Sequence, residues 1–424
     1  MELLILLILF VLFFMNIPIG FSLGLASLTV MVIRDLPLIT ISQKMFSGVD
    51  SFPLLAVPFF ILAGDMMDAG GISLRIVRFA HTLVGHIRGG LAHVAVMASM
   101  FFAGISGSSI ADTAAVGSIM IPAMNKSGYS KSYSGAVCAA AGSVGCIIPP
   151  SIPMVVYGVL GDVSVAALFL GGAIPGVLIG VALMILAYFI ARARGFTKEK
   201  WSGFGEIWKT LRNSILALIM PGIIVGGIMG GVFTATESGA IAVVYGLFVG
   251  LFVFRSMRLR DIPRVLIRSS ITTGMVMMII STAAIFRYLI TIDQVPQKIA
   301  DIFLAMTQNP YVLFALINVL LLIVGTFMDT LSALIILAPI FLPVVKGFGV
   351  DPVHFGVVVV INLAIGMATP PLGVCLFVAC GIAKITLRQI TLAIWPFLIV
   401  LIAVLFLVTY VTPTTLWLGR LFGF

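Results

Sequence analysis

The sequence predicts an all-α polytopic membrane protein built from two inverted repeats, and three observations lead to this fold class. Of the 424 residues, 61% are hydrophobic and 9% are charged, whereas about a quarter of the residues in a soluble domain are charged. Apolar runs that can cross a hydrocarbon layer about 30 Å thick recur along the chain. A pattern of carboxylate, hydroxyl and helix-breaking residues also occurs twice, once in each half of the sequence.

Apolar runs and the charged breaks between them place the elements in order. We predict a first repeat over residues 1–191, a connector over 192–214 and a second repeat over 215–424. The elements of the first repeat are expected at 2–16, 18–33, 52–70, 90–124 (a hairpin), 132–160 (an interrupted span) and 165–191. Those of the second repeat are expected at 215–231, 233–254, 270–290, 310–345 (a hairpin), 353–383 (an interrupted span) and 391–411. The connector is expected to form an interfacial helix at the cytoplasmic membrane surface, because Trp201 and Trp208 stand among basic residues.

The basic residues predict how the chain is oriented in the membrane. Of the 24 Lys and Arg residues, 18 fall in five short segments that we predict face the cytoplasm. These segments are 75–93, 125–131, 192–212, 255–268 and 384–388. The first hairpin then enters from the cytoplasm and the second from the outside, so the two repeats are inverted and both termini lie outside.

The duplicated pattern lies in the predicted hairpins and interrupted spans. Asp112 stands ten residues before Pro122 and Asp329 ten residues before Pro339, an offset of 217 between the copies. The two Pro-Pro pairs that follow are 221 residues apart, which predicts a four-residue loop insertion in the second copy. Broken backbone and carboxylates are costly in hydrocarbon, so they are expected to line a cavity and to mark a transport site.

Two sodium sites are predicted where each hairpin tip faces an interrupted span. Carbonyl oxygens freed by the breaks and nearby hydroxyls can ligate a hard cation, while the ends of half-helices offer amides to an anion. The first site is predicted at Ser106, Ser108, Ser109, Gly142 and Gly145. The second site is predicted at Gly325, Thr326, Thr330, Gly366 and Thr369. The alternative is that these small residues only allow helices to pack closely.

A wider set of residues is predicted to contact the substrate. It consists of Ser108, Asp112, Pro149, Pro150, Ser151, Asp329, Asn362, Pro370, Pro371 and Arg287. Asp112 and Asp329 lie near the starts of the outgoing hairpin helices, where a carboxylate either caps free amides or takes part directly in ion binding or protonation. Arg287 is the only basic residue within an apolar span; it either meets a substrate carboxylate or extends toward the interface.

Several other classes of function are disfavoured. The GxSG pattern at Gly104 to Gly107 is typical of intramembrane serine proteases, which need a histidine base at membrane depth. The four histidines are His81, His86, His93 and His354. All fall at span ends and are expected at the interface, so we predict that the protein is not an enzyme. No signature for binding ATP occurs, the dispersed basic residues do not favour nucleic acid, and the four cysteines are expected in the core rather than at a metal. No organic cofactor is expected.

Five long segments carry a resemblance to a known family, and their order along the chain is the same. The segments are FPLLAVPFFILAG (Phe52 to Gly64), GISGSSIADTAAVGSIMIPAM (Gly104 to Met124), IIPPSIPMVVYG (Ile147 to Gly158), FTATESGAIAVVYGLF (Phe233 to Phe248) and INLAIGMATPPLGVCLFV (Ile361 to Val378). Over essentially its whole length the chain resembles the large membrane subunit of tripartite ATP-independent periplasmic (TRAP) transporters.

The resemblance implies an elevator-type secondary transporter in the bacterial inner membrane, with re-entrant hairpins and sodium as the coupling ion. It also implies a separate small membrane subunit of four helices and a periplasmic substrate-binding protein that delivers a small organic acid, such as a C4-dicarboxylate, sialic acid or a sugar acid. The alternatives are a proton-coupled or stand-alone carboxylate carrier, an ion channel and a structural membrane subunit.

Overall fold

The computed structural model describes residues 4–15, 17–196, 198 and 200–424. Within these residues all regular secondary structure is helical, and eight segments are long and apolar enough to cross a membrane. The helices of the first half are α1 Leu4–Phe14, α2 Ile19–Ile33, α3 Ile39–Val49, α4 Ala56–Ala69, α5 Ile72–Val84, α6 Gly90–Ser106, α7 Ser109–Lys126, α8 Lys131–Gly142, α9 Ile152–Gly161 and α10 Val165–Ala193. The helices of the second half are α11 Gly203–Met229, α12 Ala235–Phe248, α13 Ile262–Ile292, α14 Val295–Met306, α15 Pro310–Phe327, α16 Thr330–Gly347, α17 Pro352–Gly366, α18 Val374–Ala383, α19 Leu387–Tyr410 and α20 Pro413–Leu421.

The predicted hairpins are two helix pairs, each joined by a two-residue turn. In the first pair α6 packs against α7, and in the second α15 packs against α16. The predicted interrupted spans are also present: α8 and α9 are separated by a 3-10 turn and irregular backbone, and α17 and α18 by an irregular segment. Each break contains a cis Pro-Pro bond, at Pro149–Pro150 and at Pro370–Pro371.

The two copies correspond at a single offset, so the predicted four-residue insertion is wrong. Ser109 and Thr330 begin α7 and α16, while Lys131 and Pro352 begin α8 and α17. Each pair of positions is 221 residues apart, which is the offset of the Pro-Pro pairs as well. The hairpin and the break of each copy therefore repeat as one unit of constant length.

The prediction of an insertion was wrong because it paired Asp112 with Asp329 and Pro122 with Pro339, which are not at corresponding positions. At an offset of 221, Pro122 in α7 corresponds to Pro343 in α16, where Pro339 lies one turn earlier. Asp329 then corresponds to Ser108, and both residues are the N-caps of their helices. Asp112 has no carboxylate opposite it in the second copy.

Four helices were not predicted, and two begin earlier than expected: α11 at Gly203 instead of 215 and α13 at Ile262 instead of 270. The four are α3, α5, α14 and α20, which are short and include charged or polar residues, so no long apolar run reveals them. The predicted connector is not a separate helix, because residues 203–214 form the first turns of α11. No glycine or proline interrupts this helix between Glu206 and Met220, and nothing therefore ends it there. The Trp208 side chain is exposed, at 70% of its full surface.

The helices fall into two groups that meet at the hairpin tips. In one group α4 packs against α12 and α13, and α13 also packs against α2 and α3. In the other group the hairpins and broken spans of the two halves interlock: α18 packs against α7 and α8, and α16 packs against α9. We refer to the helices of the first group as the outer group and to those of the second as the central group.

Candidate functional site

The tip of the first hairpin is a tight turn pressed against the first broken span. Gly107 has a left-handed backbone with φ of +61°, and a Cβ atom added there would lie 2.8 Å from the carbonyl oxygen of Pro150. Ser108 caps α7, and its hydroxyl accepts a hydrogen bond of 3.5 Å from the Ala111 amide. Only glycine fits this turn, because other residues rarely adopt that φ and have no room for a side chain.

Asp112 places a carboxylate inside this contact. Its side chain is fully buried, and the Ser106 hydroxyl donates a short hydrogen bond to Oδ1. Oδ2 has no hydrogen-bond partner among the described residues. A Cβ atom at Gly145 would lie 2.5 Å from Oδ2 and 2.8 Å from the Ser108 carbonyl oxygen. The backbone of Gly145 therefore makes room for two oxygen atoms that converge at the tip.

These oxygens fit a sodium ion by their chemistry. A buried carboxylate oxygen without a partner is costly, and carboxylate, carbonyl and hydroxyl oxygens are the ligands that hard cations prefer. The Ser106 hydroxyl adds a third oxygen, since it contacts both Asp112 and the Ser108 backbone. The predicted role of Asp112 as a helix cap is wrong, because Ser108 is the cap and Asp112 lies one turn into α7.

Ser109 and Gly142 lie at the contact between helix α7 and the first broken span. The Ser109 hydroxyl donates to the Ser143 carbonyl at 3.1 Å and lies 3.1 Å from the Cys146 thiol. At Gly142 an added Cβ atom would overlap the Thr113 hydroxyl at 1.9 Å. Close helix packing, the alternative weighed for the small residues, is therefore the observed role of Gly142.

The second tip repeats part of this arrangement. The Thr330 hydroxyl lies 2.9 Å from the Met367 sulfur, as Ser109 lies against Cys146 at the corresponding positions. A Cβ atom at Gly366 would lie 2.6 Å from the Cα of Gly325, so two backbones touch there.

The hydroxyls of Thr326 and Thr369, the other predicted side-chain ligands of the second sodium site, are hydrogen-bonded to nearby backbone carbonyls. The Thr326 and Thr369 hydroxyls donate to the carbonyls of Ile323 and Ile365 at 2.7 and 2.8 Å. A hydroxyl that donates in this way keeps its oxygen lone pairs for a cation. Asp329 instead caps α16, where its carboxylate accepts from the Ser332 amide at 3.1 Å and from the Ser332 hydroxyl. The predicted capping role is confirmed for Asp329.

Both tips open onto one cavity of about 640 Å³ between the outer and the central group. The predicted site residues that line it are Ser106, Ser108, Ser109, Asp329 and Thr330. The remaining predicted substrate residues are not among the described residues that line it. Ser151 caps α9, and Asn362 donates to the side-chain oxygen of Asn318 at 2.8 Å within a buried network. Arg287 lies near the far end of α13.

Three charged residues of the cavity were missed by the sequence analysis. Asp65 in α4 accepts a hydrogen bond of 2.7 Å from Ser269 and lies 3.6 Å from Nε of Arg268. Asp68, one turn further on, accepts from Ser73 at 2.8 Å. Asp65, Asp68 and Arg268 line the wall of the cavity on the side of the outer group, and so does Ser73, whereas Ser269 does not. Asp65 and Arg268 are 203 residues apart, and neither is repeated as a charged residue in the other half of the sequence. Only the opposite charges on α4 and α13 could have indicated that these residues belong to the site.

Two histidines differ from the expectation that all four lie at the interface. His93 is 3% exposed and contacts the Gly89 carbonyl, while His354 is 1% exposed and bonds to Thr415. Both lie in the first turn of a helix whose end is covered by other helices. Neither is among the residues that line the cavity.

The fold resembles that of a solved transporter. The YdaH transporter of Alcanivorax borkumensis superimposes with a TM-score of 0.66 over 91% of this chain and 89% of its own, at 15% identity. At that identity the likeness concerns the fold alone.

Similar sequences are more informative. The isethionate TRAP transporter permease protein DctMQ of Oleidesulfovibrio alaskensis is 44% identical over 93% of this chain, which spans 63% of that relative's length. The sialic acid TRAP transporter large permease protein SiaM of Vibrio cholerae is 41% identical over 97% of this chain and 96% of its own. The model of the family described as "Tripartite ATP-independent periplasmic transporter, DctM component" matches residues 6–414. The chain therefore belongs to the DctM family, the large permease proteins of TRAP transporters.

Proposed function

We propose that this chain is a sodium-coupled permease for the uptake of a small organic acid across the bacterial inner membrane. It works with a small membrane subunit and receives its substrate from a periplasmic binding protein. The observation that carries the proposal is the convergence of two hairpin tips and two broken spans on one cavity, with the unpartnered Asp112 oxygen beside it. The family gives the class of activity, and this geometry supports the proposal of sodium coupling.

Sodium binds first at the tip of the first hairpin. Asp112 Oδ2, the Ser108 carbonyl and the Ser106 hydroxyl hold the ion where Gly145 leaves room for it. The ion neutralises a carboxylate that burial would otherwise destabilise. A second, weaker sodium site forms at the corresponding tip from Thr326 and backbone oxygens around Gly325 and Gly366, with Thr369 and Thr330 beside it.

The substrate lies in the cavity beside the first ion. Ser109 and Ile110 line the cavity in the first turn of α7, where backbone amides lack partners within the helix and favour an anion. Arg268 supplies a cation at the opposite wall. Arg287, which was predicted for this role, lies outside the cavity. Sodium on the central group then adds positive charge next to the bound acid, so each ligand favours the other.

Transport follows from movement of the central group against the outer group. The cavity lies at their boundary, so a displacement of the hairpins and broken spans along α4 and α13 carries ion and acid together. Each sodium that enters down a potential of 100 mV contributes about 2.3 kcal/mol. Two sodium ions carried with a monoanion move one net charge, so the potential contributes about 2.3 kcal/mol per transported acid, which corresponds to about fiftyfold accumulation before the sodium concentration gradient is counted.

The relatives support a carboxylate or sulfonate as the transported group. One is named for sialic acid and another for isethionate, and both compounds are small organic acids. The walls of the cavity are mostly apolar, and their charged residues are Asp65, Asp68, Asp329 and Arg268. Because three of these four are acidic, a bound acid depends on Arg268, the helix amides and the proposed sodium ion for positive charge.

Uptake into proteoliposomes tests the function. The chain is reconstituted with its small subunit, and labelled sialic acid, isethionate and C4-dicarboxylates are supplied with and without the binding protein. We expect uptake of one acid that needs an inward sodium gradient and the binding protein. Uptake driven by a proton gradient alone, or uptake without the partners, would establish one of the alternative carriers, and flux independent of any gradient coupling would indicate a channel.

A further inference from the structure

A second cavity, of about 490 Å³, is lined by other residues than the transport cavity and lies between α5, α11 and the end of the π-helix Val249–Val253 that continues α12. Three arginines line it: Arg75, Arg78 and Arg212. Thr210, Asn213 and Ser214 add polar groups, and Leu216, Val253 and Phe254 form an apolar side. We refer to these nine residues as the basic pocket. No acidic residue is among those described as lining it.

The first arginine is held in place by neutral groups only. Its Nη1 donates to the Gly71 carbonyl at 2.8 Å, and its guanidinium lies 3.8 Å from the centre of the Phe254 ring. Partial burial and the nearby charge of Arg78 both lower the pKa of Arg75. This positive charge is fixed and lacks a carboxylate, so an external anion would stabilise it.

Two further arginines complete the positive field. Arg78 and Arg212 are exposed, and neither forms an ion pair within the described part of the chain. The hydroxyl of Ser214 donates to the Arg75 carbonyl at 3.0 Å, which fixes α11 against α5 at this place. Arginines that converge without acids between them form the geometry that binds phosphate oxygens.

An apolar groove of about 500 Å³ runs along α12 next to the basic pocket. Ala240, Ile241, Val244, Tyr245 and Phe248 line it. The Tyr245 hydroxyl donates to the Leu216 carbonyl at 2.6 Å, and Leu216 belongs to the basic pocket. The groove and the pocket therefore meet where α11 contacts α12. Val244 and Phe248 are 67% and 54% exposed, which leaves room for an apolar chain.

We propose that the basic pocket binds the phosphate headgroup of an anionic phospholipid, with one acyl chain along the groove of α12. The predicted orientation agrees, because Arg75, Arg78 and Arg212 all fall in segments that carry the cytoplasmic excess of positive charge. Basic pockets between membrane helices on that side suit anionic headgroups. The site lies outside the transport cavity, and the proposal does not depend on sodium coupling.

Native mass spectrometry of the detergent-purified full chain tests the site. Phosphatidylglycerol and phosphatidylcholine are titrated separately, and the apparent dissociation constant of the first lipid adduct is measured. The test variant is Arg78→Gln with Arg212→Gln. The matched control is Arg264→Gln with Arg388→Gln, which removes the same charge from two exposed arginines elsewhere. Each lost arginine near a membrane surface is worth about 1 kcal/mol, so the test variant should bind phosphatidylglycerol about thirtyfold more weakly.

Three outcomes decide the proposal. Selective weakening in the test variant, with an unchanged control and weak phosphatidylcholine binding throughout, supports it. Equal weakening in both variants overturns it, because the preference would then follow net charge. Complete displacement of the lipid by 10-fold excess inorganic phosphate also overturns it, since the pocket would then bind the free anion without using the groove. Val244→Asn provides an independent arm, and it should weaken the lipid adduct several-fold without touching the arginines.

Discussion

Gly145→Ala tests the first sodium site most directly. The added Cβ atom would lie 2.5 Å from Asp112 Oδ2 and 2.8 Å from the Ser108 carbonyl oxygen. Those two oxygens are the proposed ligands, so the methyl group must displace one of them. Added volume in a packed site costs about 1–3 kcal/mol. If the cost falls on the ion-bound geometry, sodium affinity decreases by about 5- to 150-fold.

The assay is the sodium dependence of uptake in proteoliposomes, with the amount of monodisperse protein measured by size-exclusion chromatography. We expect half-saturation at a sodium concentration at least fivefold higher, by the lower limit of that estimate. The matched control is Gly274→Ala in α13, where an added Cβ atom meets no atom within 4 Å. Wild-type sodium dependence in correctly folded Gly145→Ala would refute the assignment of these oxygens.

Three further predictions follow from the same geometry. Asp112→Asn keeps the shape of the side chain and removes its charge, so sodium should no longer stimulate uptake; retained stimulation would contradict the role of the carboxylate. Asp329→Ala removes the cap of α16 and should lower stability by about 0.5–2 kcal/mol, measured as a lower Tm, whereas Asp329→Ser should restore most of it. Arg268→Gln should raise KM for the acid several-fold without changing the sodium dependence, and Arg264→Gln, an exposed change one turn away, should leave KM unaltered.

The membrane elements could be predicted because they depend on local sequence. Apolar runs located the long helices, and Gly and Pro located the turns and breaks, as at Gly107 and the cis Pro149–Pro150 bond. The short helices α3 and α14 could not be found in this way. Their amphipathic sequences gain stability from contacts with α13 and α16, and such contacts exist only in the folded chain.

The candidate site shows where sequence reasoning ends. Ser106, Ser109 and Thr330, which line the cavity, could be singled out because hydroxyl groups at helix breaks are costly in a membrane, and Ser109 and Thr330 also occupy corresponding positions of the two copies. Asp65 and Arg268 were missed, since their ion pair of 3.6 Å joins distant parts of the chain. Asn362 was assigned to the substrate, yet the fold directs it to Asn318. A polar residue in an apolar helix thus indicates that a partner exists, but the fold decides which partner it is.

The two tips are unequal, and this inequality bears on the coupling. In the second tip the Asp329 carboxylate is already satisfied by the amide and hydroxyl of Ser332. In the first tip a neutral serine caps the helix, and Asp112 lies fully buried with one oxygen free. Burial penalises a charge that has no counter-ion, so the proposed sodium ion would stabilise the carboxylate of the first tip, whereas the carboxylate of the second tip already has its hydrogen-bond donors. Sodium should therefore bind first at Asp112, and the central group should move readily only when that charge is neutralised.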